Sequence, residues 1–240
     1  LLQAEVVPGE KPMIHVTATV HATLPVVWLN PPGRARSLRP DEPSSLDLDF
    51  THELAGLPLT QPYWLREEPT VGMFRVADAK LIGQPVDPPV LPLTEFFQVG
   101  TNSEPIAVET EPVEAGTETG RFEARRTLEV IPPVSLDFVS DVKLFAPGSA
   151  HPVEIEITAA RAHSAGALKL NAPADWKISP ASESFDLATV GEIKKFTFSI
   201  TAPAKPASAS ITTSAQIGDA TFGTQRIEIA YKHIPHILLQ

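Results

Sequence analysis

Cysteine is absent from the 240-residue chain, which excludes disulfide bonds, thiol catalysis and metal sites that need a Cys ligand. Basic residues are outnumbered by acidic ones, and the formal net charge is −10. Nucleic acid binding needs clustered Lys and Arg against the phosphates, and anionic lipid repels an acidic surface. The net negative charge therefore argues against nucleic acid binding and against membrane insertion.

Long apolar runs and dense glycine are also missing. No segment approaches the roughly 20 apolar residues of a membrane span. The opening "LLQAEVVPGEKP" has no basic region followed by an apolar one, so no signal peptide is expected there. The 13 glycines never cluster into a phosphate-binding loop. With no starting Met, we interpret the chain as an excised piece of a longer protein.

Alternation of apolar and polar residues with a period of two recurs along the chain, whereas helical periodicity is almost absent. Hydrophobic residues make up 42% of the sequence, enough to form a buried core. The alternating segments are "MIHVTATVHATL" (13–24), "SLDLDF" (45–50), "VEIEITA" (153–159), "ALKLN" (167–171), "KKFTFSIT" (194–201), "ASITTSAQI" (209–217) and "TQRIEIAYK" (224–232). The sequence predicts an all-β protein with two tandem antiparallel β-sandwich domains, the second of them immunoglobulin- or fibronectin III-like.

The boundary between the two predicted domains is set by Pro132-Pro133, which cannot donate ladder hydrogen bonds and stiffens an extended connector. We expect a sandwich with long loop insertions over 1–131 and an immunoglobulin-like sandwich over 132–232. Residues 233–240 are then a linker to a further C-terminal domain.

Candidate catalytic and metal-binding residues are few. Ser149 and His151 are two residues apart, but no acid is placed to orient the His, which favours turn chemistry. The His233 and His236 pair is interrupted by a proline and favours a linker over a metal site. An oxygen-rich calcium site and a solvated strand face both remain open for one acidic group, which comprises Asp41, Glu42, Asp47 and Asp49. We predict no catalytic residues, no metal ligands and no cofactor.

The aromatic residues are the remaining candidates for a binding surface. Exposed aromatic rings stack on sugar faces, but such rings also fill cores and domain seams. Tyr63 and Trp64 cannot both point inward if "TQPYWL" (60–65) is extended, because neighbouring strand residues face opposite ways. We expect Pro62 to begin an edge strand, Trp64 to anchor the sandwich or its seam, and Tyr63 to be the more exposed. A carbohydrate platform would consist of Tyr63, Trp64 and Trp28.

Five stretches resemble two known families. "LNAPADWKISPASESFDLATVGEIKKFTFSITAPA" (170–204) resembles the NEW3-type, alpha-galactosidase-associated sandwich module found beside bacterial glycosidases. "TQPYWL", "GMFRVADAKLIGQPVDPPVL" (72–91), "LEVIPPVSLDF" (128–138) and the closing "IAYKHIPHILLQ" (229–240) resemble the region downstream of the catalytic domain in bacterial PIG-L (LmbE-like) deacetylases.

The PIG-L resemblance implies a larger exported, periplasmic or secreted parent with an N-terminal zinc-dependent sugar deacetylase domain. The His-Pro-Asp-Asp type motif of that domain is missing, since His151-Pro152 is followed by Val153-Glu154. The chain is then expected to be a non-catalytic scaffold that contacts other domains of its parent. The alternatives are a carbohydrate-binding module and a hydrolase in its own right, which turnover of glycosides or acetylated sugars would establish.

Overall fold

The structure is a computed structural model that describes residues 4–29, 35–49, 56–85, 87–101, 104–114, 126–231 and 236–240. Nearly all regular structure in these residues is β-strand, and the helices are two 3-10 turns at Tyr63–Leu65 and Ala79–Leu81. The prediction of an all-β, sandwich-type fold is confirmed. Within this described part, no helix has the length and hydropathy that a membrane-spanning segment requires.

The chain divides into two compact units. Unit 1 comprises residues 1–130 and 230–237, and unit 2 comprises residues 131–229 and 238–240. The segment expected to be a linker, 233–240, contains a short strand at Ile237–Leu239, and its residue His233 lies outside the described residues.

Unit 1 contains two antiparallel sheets and one parallel strand pair. Its strands are β1 (Glu5–Val6), β2 (Met13–Ala18), β3 (Val26–Trp28), β4 (Arg36–Leu38), β5 (Ser44–Asp49), β6 (Leu93–Val99), β7 (Ile106–Thr110) and β8 (Glu129–Val130). β2 pairs with β5, and a four-stranded sheet has the order β4-β3-β6-β7. The parallel pair of β1 with β8 was not expected from the sequence.

The two antiparallel sheets of unit 1 bury a shared core. Alternation along β2 turns Ile14 and Val16 away from solvent and His15 toward it, as period-two patterning predicts. From the other sheet, Trp28 is fully buried, and Val16 and Leu46 pack against the cluster it belongs to. Side chains of both sheets thus close over one core, which is the packing of a sandwich.

Unit 2 contains two four-stranded sheets. The strands of these sheets are β9 (Val134–Phe138), β10 (Ala150–Ala159), β11 (Ser164–Asn171), β12 (Lys177–Ser179), β13 (Glu183–Leu187), β14 (Ile193–Thr201), β15 (Thr212–Ile217) and β16 (Ala220–Phe222). A separate short pair joins β17 (Ile227–Ile229) to β18 (Ile237–Leu239), and the first residue of β18 is counted with unit 1. The orders are β12-β14-β10-β9 and β13-β11-β15-β16. The neighbours β9-β10-β14 and β11-β15-β16 reproduce the A-B-E and C-F-G orders of an immunoglobulin sandwich.

The core of unit 2 consists of alternate strand residues that point inward from both sheets. Ile155, Leu168 and Phe198 are fully buried within one cluster, and the partly buried Trp176 and Phe145 pack at its margin. The longest ladder runs between β10 and β14, from Ala150 opposite Thr201 to Thr158 opposite Ile193. This ladder holds the loops that precede β10 and follow β14 at the same end of the sandwich.

Candidate functional site

The tryptophan of β3, Trp28, lies in the core of unit 1 and cannot belong to an exposed platform. Its exposed fraction is 0%, and its ring stacks near Phe97, with 6.2 Å between ring centroids. The indole Nε1 donates to Oε2 of Glu95 over 2.6 Å, and Glu95 is itself 6% exposed. The sequence expectation for Trp28 is corrected: it is a core residue that also satisfies a buried carboxylate.

The segment "TQPYWL" is a turn and not an edge strand. Pro62 precedes a 3-10 helix that contains Tyr63 and Trp64, so the two rings do not alternate across a sheet. Tyr63 is buried and Trp64 is half-buried, the reverse of the order expected from an extended chain. Their rings meet edge to face, with centroids 4.9 Å apart.

Polar contacts fix Tyr63 in this turn. Its hydroxyl donates to the carbonyl of Gln84 over 3.4 Å and accepts from the amide of Gly83 over 3.3 Å. Nearby, Arg66 pairs with Asp87 over 2.9 Å. Burial raises the pKa of Asp87, although Arg66 and the Tyr63 backbone amide act to lower it. Of the three predicted platform residues, only Trp64 offers part of its ring to solvent.

Two of the four acidic residues considered for calcium face histidines. Asp47 lies 2.7 Å from Nδ1 of His15 across the β2–β5 pair, and Asp41 lies 2.7 Å from Nδ1 of His21. Glu42 is 3.4 Å from Arg39, and the side chain of Asp49 lies outside the described part of the chain. Among the residues that the structure describes, no three His, Asp or Glu gather in an arrangement that could hold a metal ion.

Ser149 and His151 are engaged separately. The Ser149 hydroxyl donates to the carbonyl of Ala146 over 2.6 Å, closing a turn. The His151 ring lies edge to face against Phe145, with 5.3 Å between centroids. The two side chains thus stabilise a loop and an aromatic cluster, respectively.

A further candidate binding feature is a groove at one end of the unit 2 sandwich, which we call the aromatic groove. Its volume is about 660 Å³. Three separate segments form it: the loop between β9 and β10, the residues after β14 (202–211), and Trp176 between β11 and β12. The sequence analysis did not identify it.

An aromatic pair forms part of the lining of this groove. Phe145 and Trp176 are both half-buried, and their rings meet at 89° with centroids 5.4 Å apart. The backbone amide of Trp176 donates to Pro173 over 2.9 Å. Within the described residues, the indole N–H of Trp176 has no hydrogen-bond partner, so it remains available to a ligand.

Polar groups surround the aromatic pair. Asp141, Lys205, Ser208 and Ser210 line the groove and are exposed. As far as the described chain extends, none of these four side chains makes a hydrogen bond or ion pair. The groove thus presents a carboxylate, an ammonium and two hydroxyls that are not committed to other protein groups.

The walls of the aromatic groove are held by hydrogen bonds between its two loops. The amide of Gly148 donates to the carbonyl of Pro203 over 2.9 Å, and the amide of Ala202 donates to Ser149 over 3.0 Å. Lys143 donates to the carbonyl of Pro152. These bonds fix the shape of the groove before a ligand arrives, which lowers the ordering cost of binding.

Comparisons with known proteins add no family: no family model matches the chain, and no curated protein matches its sequence. The functional assignment therefore depends on the geometry described above and on the motifs of the sequence itself.

Proposed function

We propose that the chain is a non-catalytic accessory β-sandwich region of a larger exported deacetylase of the PIG-L (LmbE-like) type. In this role it is a scaffold that contacts other domains of the parent protein, or a partner, outside the cytoplasm. The motifs at 60–65, 72–91 and 128–138 support the parent family, and the stretch 170–204 supports a NEW3-type module.

The aromatic groove is the single observation that supports an interaction role. It combines a half-buried ring pair with exposed polar groups that other protein groups do not engage. By contrast, Ser149 and His151 are used in a turn and a ring contact. Those two side chains hold a loop and an aromatic cluster, whereas the polar groups of the groove are open to a ligand, which supports a binding role.

The reading frame that encodes the chain provides the first test of the parent. We expect a domain with a His-Pro-Asp-Asp zinc motif in the same frame, upstream of residue 1. The parent protein and a variant lacking residues 1–240 are then compared for deacetylation of a soluble N-acetylated sugar and for thermal unfolding of the catalytic domain. We expect turnover in both proteins and a lower unfolding temperature in the shortened one.

The 240-residue chain serves as the matched control. It should release no acetate from N-acetylglucosamine oligomers and no chromophore from nitrophenyl glycosides. Turnover by this chain would establish the hydrolase alternative and overturn the accessory role. A reading frame without any catalytic domain would overturn the assignment of the parent.

A second candidate function is carbohydrate binding, and the Phe145–Trp176 pair favours it. Sugar rings present apolar C–H faces that pack on aromatic rings, while their hydroxyls need polar partners at the edges. The originally predicted platform supplies only Trp64 with an accessible ring, whereas the aromatic groove supplies both kinds of contact.

A further inference from the structure

We propose that the aromatic groove of unit 2 binds an uncharged oligosaccharide, with Trp176 as the stacking surface and Asp141 and Lys205 as hydroxyl partners. The proposal rests on the interaction role given above and names the class of ligand and the residues that recognise it. It replaces the platform of Tyr63, Trp64 and Trp28 as the sugar-binding site.

The dimensions of the groove suit a short oligosaccharide. Its volume of about 660 Å³ lies within the range of about 300–1,000 Å³ that small-molecule sites occupy in proteins. Two backbone hydrogen bonds link the loop before β10 to the segment after β14, so they hold these two sides of the groove together. Several sugar units can therefore be accommodated without a rearrangement of the sandwich.

The orientation of the Trp176 ring is fixed by a row of perpendicular contacts. His151 meets Phe145 at 81°, and Phe145 meets Trp176 at 89°. A ring held in this way loses little freedom when a ligand packs on it. Its uncommitted indole N–H can donate to a sugar hydroxyl at the edge of the same contact.

The charges of the groove favour a ligand without net charge. The lining has one carboxylate, Asp141, and two ammonium groups, Lys143 and Lys205, and the Lys143 ammonium already donates to the carbonyl of Pro152. The two charges that no protein group engages, Asp141 and Lys205, have opposite signs, so an anionic or a cationic ligand would be attracted by one and repelled by the other. A hydroxyl group donates to the carboxylate and accepts from the ammonium, and it can therefore use both. Ser208 and Ser210 add two neutral partners of the same kind.

A proline-rich peptide is the competing ligand, since aromatic-lined grooves also dock polyproline helices. Proline has no N–H, so such a peptide brings few donors to the Asp141 carboxylate and would leave this acceptor unused. A polyhydroxylated ligand supplies donors at many positions. The groove chemistry therefore favours the sugar.

The test measures binding to the 240-residue chain by titration calorimetry. The probes are hexasaccharides of β-1,4-linked N-acetylglucosamine, glucose and xylose, with a nonaproline peptide as the competing probe. We expect saturable binding of at least one hexasaccharide. Trp176→Ala should weaken it by about tenfold or more, as expected for an aromatic anchor. Trp64→Ala, in unit 1, is the matched control and should leave the affinity unchanged.

If Trp176→Ala impairs folding, variants of the exposed groove residues Asp141 and Lys205 still test the proposal. Asp141→Asn and Lys205→Ala change exposed side chains that make no hydrogen bond or ion pair within the described structure, so the fold should be retained. Each should weaken hexasaccharide binding by roughly threefold to tenfold, the loss expected when one solvent-exposed hydrogen bond of ordinary net strength is weakened or removed. Circular dichroism of each variant verifies the fold.

Three results would overturn the sugar site. They are the absence of saturable binding to every hexasaccharide, binding that depends on Trp64 and not on Trp176, and binding of nonaproline alone, which would make the groove a peptide site. None of them bears on the encoded parent or on its deacetylase activity. Conversely, a parent without a catalytic domain would leave a measured hexasaccharide affinity intact, so the two proposals fail separately.

Discussion

The hydrogen bond between Trp28 and Glu95 predicts a large and specific loss of stability on Trp28→Phe. Phe retains most of the apolar ring but has no N–H, so the Glu95 carboxylate loses its 2.6 Å donor while remaining buried. Hydrogen bonds to charged groups contribute about 1.5–3 kcal/mol. The smaller ring also leaves a cavity in a fully buried position, which adds about 1 kcal/mol. We expect unit 1 to lose about 2.5–4 kcal/mol in its free energy of unfolding.

The assay is hydrogen exchange of backbone amides as a function of urea, read by mass spectrometry on separate peptides. Peptides from β3 and β6 report unit 1, and peptides from β10 and β14 are the internal reference for unit 2. The urea midpoint of the first set should fall in Trp28→Phe relative to the reference set.

Glu95→Gln is the matched variant because its amide oxygen can still accept from the indole. Since the hydrogen bond is kept but its acceptor becomes neutral, Trp28→Phe should cost about 1 kcal/mol less in the Glu95→Gln background than in the native chain. A cost below about 0.5 kcal/mol for Trp28→Phe would refute the inference that this hydrogen bond stabilises unit 1, and strict additivity of the two changes would refute the contribution of the carboxylate charge.

Three further predictions concern other contacts. Gly166→Ala places a Cβ against the backbone carbonyl of Gln216, so urea unfolding should show unit 2 destabilised by about 2 kcal/mol or more, and a neutral result would contradict this close approach. The hydrogen bond with Lys194 is the main cause that holds the pKa of Glu192 below its usual 4.5. The ionised Glu192 therefore stabilises the folded state above pH 4.5, and this stabilisation is lost as the pH falls through the lowered pKa. Unfolding midpoints measured from pH 7 to 3 should therefore fall less steeply in Glu192→Gln, and parallel curves would exclude the contribution. Arg126→Met removes the cation between the partly buried glutamates of β1 and β8, and thermal unfolding should show a loss of about 2–3 kcal/mol, which an unchanged midpoint would contradict.

The strands were predictable where one face is buried over five or more residues. In β10 and β14, alternation sends Ile155 and Phe198 inward, and the sequence pattern carries that information directly. β3 has only three residues, too few for a period to be read, and so the sequence left the inward direction of Trp28 open. The parallel pairing of β1 with β8 leaves no local pattern because each strand has two residues.

The aromatic groove could not be predicted because no single segment encodes it. Trp176 and Phe145 are about 30 residues apart. Each lies in a loop between two strands, where no alternation of apolar and polar residues indicates which way its side chain points. The two rings meet only because the chain crosses from one sheet of unit 2 to the other between them. Likewise, the turn at Tyr63–Leu65 depends on hydrogen bonds to Gly83 and Gln84, so the burial order of Tyr63 and Trp64 is set by distant residues.

The pairing of the first strand of unit 1 with its last strand has a consequence for synthesis. Arg126, which joins the two strands, is 121 residues from Glu5. At a translation rate of about 5–20 residues per second, β1 waits about 6–24 seconds for the partner that covers its edge. The strand remains short and carries a glutamate beside Val6, so an unpaired β1 offers little template to a neighbouring nascent chain. The β1–β8 pairing of unit 1 thus forms only when β8 has left the ribosome, and the residues 230–237 of the same unit follow later still.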